Sequence, residues 1–185
     1  MSLKKWKVIG SKRDKSYRVF NLRTDKAVSP RTEKAYDFFI LETSPWVNII
    51  PITPQKEIIL VKQYRHGIRD ITLEIPGGLV EEEDDPSGAA ERELFEETGY
   101  KATEIIPLGH VLPNPAIQNN LCYTFLAKDV FLSGDQEQDE KEDIEVIKRP
   151  LAEIPYLIRS GKINHSLVLA AFYRYYIEYQ NGLSR

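Results

Sequence analysis

Residues 77–100 read GGLVEEEDDPSGAAERELFEETGY, and the fold turns on this stretch. Pro86 directly after Asp85 suits the first helical position behind an acidic N-cap, and Gly99 suits the residue just past a helix end. The spacing predicts a helix over 86–98. On that helix Glu93 and Glu97 are four apart and Glu93 and Glu96 three apart, so the three carboxylates project to one side over adjacent turns. Like charges at that distance repel by a few tenths of a kcal/mol per pair, and more where water is excluded. A hard cation is the natural compensation, which points to a divalent-metal site for phosphate chemistry. Taken singly, each acid reads as solvated surface, and EEEDD at 81–85 reads as an exposed acidic loop.

Gly78, five residues, Asp84, seven residues and then Arg92-Glu-Leu-Phe-Glu-Glu-Thr-Gly99 resemble the Nudix box, the signature of hydrolases of nucleoside diphosphates linked to another moiety. Asp84 stands where the box usually has Glu, and Tyr100 where it usually has an aliphatic residue. The resemblance implies that Glu93, Glu97 and the Gly77 carbonyl hold Mg2+, with Mn2+ as an alternative, and that Glu96 completes the shell. Arg92, counted with Glu96 among the catalytic candidates, is expected to hold the glutamates by ion pairing, a task its planar fork fits.

Hydrophobic periodicity predicts strands near 35–42, 46–53, 57–64, 70–75, 104–112, 121–128 and 143–148, and further helices at 151–159 and 165–180. Strands mixed with a few helices, without regular alternation, mean an α+β domain. The Nudix resemblance sharpens this to a mixed sheet sandwiched between helices over 46–185, preceded by an antiparallel strand segment at 1–45 that forms a homodimer. Within the segment, residues 17–23 alternate like a strand, and 23–26 suit a turn. SLVLAAFYRYYIEY at 166–179 reads as a buried packing helix or a Tyr-rich ligand platform.

Features outside the box resemble the branch of the family that splits ADP-ribose, GDP-mannose and other nucleoside diphosphate sugars into a nucleoside monophosphate and a sugar phosphate. VKQYRHG followed by LEIPGG matches that branch's approach to the box, and Gln63 and Arg65 become substrate-binding candidates, Arg65 for phosphate. Pro115, fifteen positions after Tyr100, stands where the branch commonly has a proline. DEKEDIEV at 139–146 resembles the loop whose glutamate activates the attacking water, with Glu140 and Glu142 equally placed. The surrounding acidic loop, 134–143, lacks the glycine and glutamate an EF-hand calcium loop requires. Trp46 anchors the core or stacks on a base. Other Nudix substrates (dinucleoside polyphosphates, coenzyme A, oxidised nucleoside triphosphates) and a catalytically silent nucleotide-binding module are the alternatives.

The 185-residue chain has a net charge of −3, unevenly spread: residues 1–35 hold eleven Lys or Arg against three acids. A basic arm invites nucleic acid, but its strand-like pattern favours a folded segment, so a nucleotide sugar rather than nucleic acid is the expected partner. The acidic remainder would repel a diphosphate without neutralising metal. One cysteine, Cys122, excludes an internal disulfide. With no signal-like or membrane-length apolar run, the expected location is the cytoplasm, away from membranes. His66, His110 and His165 lack ligand spacing and are expected in ordinary polar or core roles.

Overall fold

Three successive antiparallel strands, β1 (Lys7–Ser16), β2 (Asn21–Val28) and β3 (Ala35–Glu42), form a meander. The structure is a computed structural model in which residues 2–180 are described. The meander and residues 112–121 make one compact unit, and residues 45–111 together with the chain after 121 make the other. The expected alternating strand at 17–23 and turn at 23–26 are both displaced. The turn lies at Tyr17–Phe20, closed by the Tyr17 N–H donating to the Phe20 carbonyl at 2.8 Å, and β2 runs straight through 23–26. Side-chain pairing explains the shift: along β2 Arg23 grips Asp25 with two bonds of 2.9 and 3.0 Å, and across to the neighbouring strands Arg23 pairs with Glu42 and Asp25 accepts from the Ser11 hydroxyl. Residues that suit a turn locally are therefore held extended. Trp6, Tyr36 and Phe38 make edge-to-face contacts yet remain more than 40% exposed, so the meander carries an open aromatic face.

The second unit begins with β4 (Trp46–Ile52), β5 (Glu57–Arg65) and β6 (Asp70–Glu74), continues through α1 (Pro86–Thr98), β7 (Tyr100–Lys101), β8 (Glu104–Val111), β9 (Cys122–Lys128), β10 (Phe131–Leu132) and β11 (Ile144–Pro150), and ends with α2 (Ile154–Arg159) and α3 (Ser166–Tyr175). The main sheet runs β11-β5-β4-β9-β8 with β6 on β5; β4 and β9 are parallel and the other pairs antiparallel. Strand alternation divides its faces. Val47, Ile49 and Ile59 pack with Ala89, Ala90 and Leu94 beneath α1, while Ile50, Ile52, Ile58 and Leu60 pack with Ile154, Leu157, Val168 and Phe172 beneath α2 and α3. The expected mixed sheet between helices is present. The last predicted helix is α3 followed by one π turn over Tyr176–Gln180, and its buried residues Val168, Ala171, Phe172 and Tyr175 make it a packing helix.

Two local devices place the site. α1 starts where Asp85 accepts from the Gly88 N–H at 2.7 Å and stops at Gly99, whose φ of 72° and N–H to the Phe95 carbonyl make a left-handed cap. β4 pairs with β5 only at Ile52, and the segment 76–80 takes the edge so exposed: Ile49 N–H reaches the Pro76 carbonyl at 2.9 Å and Val47 N–H the Gly78 carbonyl at 2.9 Å.

Candidate functional site

Gly77 abuts β4 and Gly78 abuts Glu93 of α1, and both positions lack room for a side chain. A Cβ on Gly77 would stand 2.3 Å from the Val47 carbonyl oxygen, and one on Gly78 would stand 2.3 Å from the Glu93 carboxylate. The glycines therefore let main chain approach the acids of α1. The Gly77 N–H donates to Glu97 Oε2 at 3.1 Å.

Arg92 is the hub of the other acids. Its Nε donates to Asp84 Oδ2 at 3.1 Å, Nη1 donates to Glu93 Oε1 at 3.0 Å and Glu96 Oε2 at 2.8 Å, and Nη2 donates to the Leu79 carbonyl at 3.1 Å. One guanidinium thus fixes two helix acids, one acid of the loop before α1 and that loop's main chain. Asp84 reaches Arg92 despite being a methylene shorter than Glu. Burial sets the electrostatics: it pushes the Glu93 carboxyl up to about 7, opposed by Arg92. Glu97, 3% exposed, is held well above the usual carboxylate range by burial first and by the Glu93 charge second.

Among the described residues no three acidic, histidine or cysteine side chains converge as a ready ligand cage, because Glu93 and Glu96 turn to Arg92 and Glu97 to Gly77. A cage is not what Mg2+ requires, since it keeps several waters and takes one or two carboxylates beside substrate phosphate. All-oxygen donors, and carboxylates whose proton affinity is raised by burial, fit that ion.

A cavity of about 710 Å3 opens beside Gly77 and Gly78, on the α3 side of the sheet. Trp46 and Arg65 line it, and so do Asn48, Glu74 and His165. Arg65 is clamped by Glu74 through bonds of 2.8 and 2.7 Å, and Thr72 gives Glu74 a third at 2.6 Å. Burial opposes ionisation of Glu74, but Arg65 outweighs it and the carboxyl lies below its ordinary value. Gln63 lies on β5 opposite Thr72. It does not line the cavity. Pro115 is exposed in the 112–121 segment of the first unit.

Glu140 and Glu142 are exposed on the acidic loop, but the loop is tied down. Gln136 Nε2 donates to the Glu97 carbonyl at 2.6 Å, the Glu137 N–H to the Glu96 carbonyl at 2.9 Å, and Gln138 exchanges two bonds with Ile144. The Gln136 side chain and the Glu137 main chain bind the loop to the end of α1, and Gln138 binds it to β11. The Glu142 charge acts on Arg65, Glu93 and Glu97. Sequence reasoning passed over Asn48 and gave His165 an ordinary role; no motif marks these positions. For Arg65 a surface salt bridge was the alternative to phosphate binding, and its partner is the buried Glu74.

Residues 43–172 match the NUDIX domain. The chain is 32% identical over 118 residues to the ADP-ribose pyrophosphatase of Bacillus subtilis (strain 168), covering 63% of this chain and 64% of that one. It is 28% identical over 169 residues to the methanol dehydrogenase activator of Bacillus methanolicus, covering 91% and 90%. The crystal structure of an ADP compounds hydrolase superposes with a TM-score of 0.85 at 22% identity over 100% of this chain and 99% of that one, a likeness of fold. With the box residues gathered at Gly77–Gly78 and the family pattern spanning most of its length, the chain belongs to the Nudix family.

Proposed function

We propose that the protein hydrolyses the diphosphate of nucleoside diphosphate sugars, ADP-ribose foremost and GDP-mannose among them, to a nucleoside monophosphate and a sugar phosphate, with Mg2+ as its metal and Mn2+ as a substitute. The observation that carries the reading is the junction of Gly77, Glu93 and Glu97 with a cavity large enough for the organic half of such a substrate. The relation to the Bacillus subtilis ADP-ribose pyrophosphatase supports it.

Glu93, Glu97 and the Gly77 carbonyl would hold the metal, with Glu96 completing the set. When bound, the metal neutralises phosphate charge and lowers the pKa of the attacking water. Arg92 keeps the carboxylates in position through its four bonds. Arg65, with Nε and Nη2 taken by Glu74, offers Nη1 to a phosphate oxygen. Glu142 is favoured over Glu140 as the base, because its charge already acts on Arg65, Glu93 and Glu97. It takes a proton from water as the water oxygen bonds to phosphorus and the bridging P–O bond breaks. Trp46 offers a ring to the base at the cavity wall.

The working form is a two-fold dimer joined through the aromatic face of the meander, because Trp6, Tyr36 and Phe38 leave a small sheet with an apolar surface open to water. A product assay with Mg2+ over ADP-ribose, GDP-mannose, a dinucleoside polyphosphate, coenzyme A and a nucleoside triphosphate tests the activity. Fastest release of nucleoside monophosphate from the sugar nucleotides is expected. Saturable binding of ADP-ribose without hydrolysis would instead make the chain a nucleotide-sensing module.

A further inference from the structure

Two buried polar atoms on the cavity wall have no hydrogen-bond partner among the described residues. Asn48 is 6% exposed and shares its strand face with Ile50, the side packed under α3. Its Nδ2 donates to the Leu167 carbonyl at 3.2 Å, which orients the amide and leaves Oδ1 without a partner among the described residues. The Nδ1 of His165 is also buried and unpartnered, since Glu74 Oε2 at 3.9 Å is beyond hydrogen-bond reach. A third feature adjoins them. α3 starts after His165 with no side chain capping its first N–H groups, whereas Asp85 caps α1. Ser166, Leu167 and Val168 line the same cavity. Buried polar atoms left unmade are costly, and two of them beside an uncapped helix start mark a place that a ligand completes.

We propose that Asn48, His165 and the first turn of α3 form the sugar subsite, reading hydroxyl groups of the moiety joined to the second phosphate. The inference rests on the hydrolase reading above and names the part of the substrate this wall receives. A hydroxyl both donates and accepts, and the wall offers an acceptor in Asn48 Oδ1 and donors in the α3 N–H groups. A further phosphate fits less well: the buried Glu74 carboxylate stands 3.9 Å from His165, and Arg65 has its Nε and Nη2 held by Glu74, with Nη1 given to the diphosphate. A base fits less well too. Trp46 pairs with Leu79 at the Gly78 end, and α3's first turn brings no Trp, Tyr or Phe to its end of the cavity.

Calorimetric titration of the full chain in Mg2+ with ribose 5-phosphate and, separately, AMP divides the substrate into halves. Asn48→Leu and His165→Leu each remove one unpaired atom at similar volume, and each is expected to weaken ribose 5-phosphate binding by about tenfold, the value of a lost buried hydrogen bond, while AMP binding holds. If Asn48→Leu fails to fold by circular dichroism, His165→Leu, at a side chain 33% exposed, carries the test. Weakened AMP binding with ribose 5-phosphate unaffected assigns the wall to the base and overturns the proposal. So does an unchanged pair of affinities, or a wild-type chain that does not bind ribose 5-phosphate. Hydrolysis of ADP-ribose by the wild type is measured alongside: its absence breaks the hydrolase reading, whereas intact hydrolysis with unchanged variants breaks the subsite alone.

Discussion

The two faces of the central sheet hold different kinds of chemistry. Beneath α1 every acid has a named partner: Arg92 for Asp84, Glu93 and Glu96, and the Gly77 N–H for Glu97. Beneath α3, Asn48 Oδ1 and His165 Nδ1 have none among the described residues. The first face is built to carry charge, and its geometry is set within one segment of chain, 77–99. The second is assembled from β4, the β5–β6 hairpin and the start of α3. A catalytic apparatus can be local, while a pocket for the rest of a substrate is drawn from the whole fold.

The contrast breaks if the α1 face is not the catalytic one. Glu97→Gln keeps shape and still offers an oxygen to the Gly77 N–H, so the chain should fold; turnover of ADP-ribose at saturating Mg2+ should fall by at least ~10³-fold, by analogy with the several kcal/mol a metal supplies. An unchanged rate would move catalysis away from α1. Glu142→Gln should lower kcat by ~10²-fold with KM nearly constant, the pattern of a lost general base. Glu140→Gln should leave both constants near wild type. Two fully active variants would return the base to Glu96.

Legibility followed the same division. The box helix was readable to the residue at both ends, because a cap acid, an N-terminal proline and a left-handed glycine are local signals. β3 was equally clear from its run of aromatic and aliphatic residues. In β2 the local signal failed, since Arg23 is held extended by Glu42 of β3 and Asp25 by Ser11 of β1, partners on neighbouring strands that periodicity does not see. At the site, Glu93, Glu96, Glu97 and Arg92 were legible as one motif, and the structure brings them together around Gly78. Asn48 and His165 are 117 residues apart in sequence and meet only because β4 lies under α3, so no spacing could announce them. The segment 112–121 belongs with the meander for the same reason: Leu41 donates its N–H to the Ile117 carbonyl at 2.8 Å, a pairing invisible along the chain.

The meander supplies a smaller test. Phe38 is 42% exposed and meets Trp6 edge to face at 5.3 Å between ring centres. Phe38→Asp places a charge in the open aromatic face and should leave the second unit's core untouched. By sedimentation the wild type should be a dimer at micromolar concentration and the variant a monomer, the result expected when charge is introduced into an apolar interface. A wild type that sediments as a monomer with full activity would leave the aromatic face without a partner copy.

The smallest effect sharpens the comparison through stability. Glu93 has a folded-state pKa pushed up to about 7 by burial, against an ordinary value of 4.5, and Glu97 is shifted the same way. Between those values the folded chain binds more protons than the unfolded one, so rising pH removes stability from the metal-free protein across roughly pH 4.5 to 7. Glu74 works in the opposite sense, being lowered, and its contribution is present above its unfolded value and lost only in more acid solution. The melting temperature without metal should therefore decline by several degrees from pH 5 to pH 8. Mg2+ should restore it, and by more at pH 8 than at pH 5, because the cation binds the deprotonated carboxylates and must displace protons in acid. The same scan on Glu93→Gln should be flatter, since the amide does not titrate. A melting temperature that rises from pH 5 to pH 8 without metal would mean that the α1 face holds its acids at no cost, and that its crowded carboxylates need no cation to balance them.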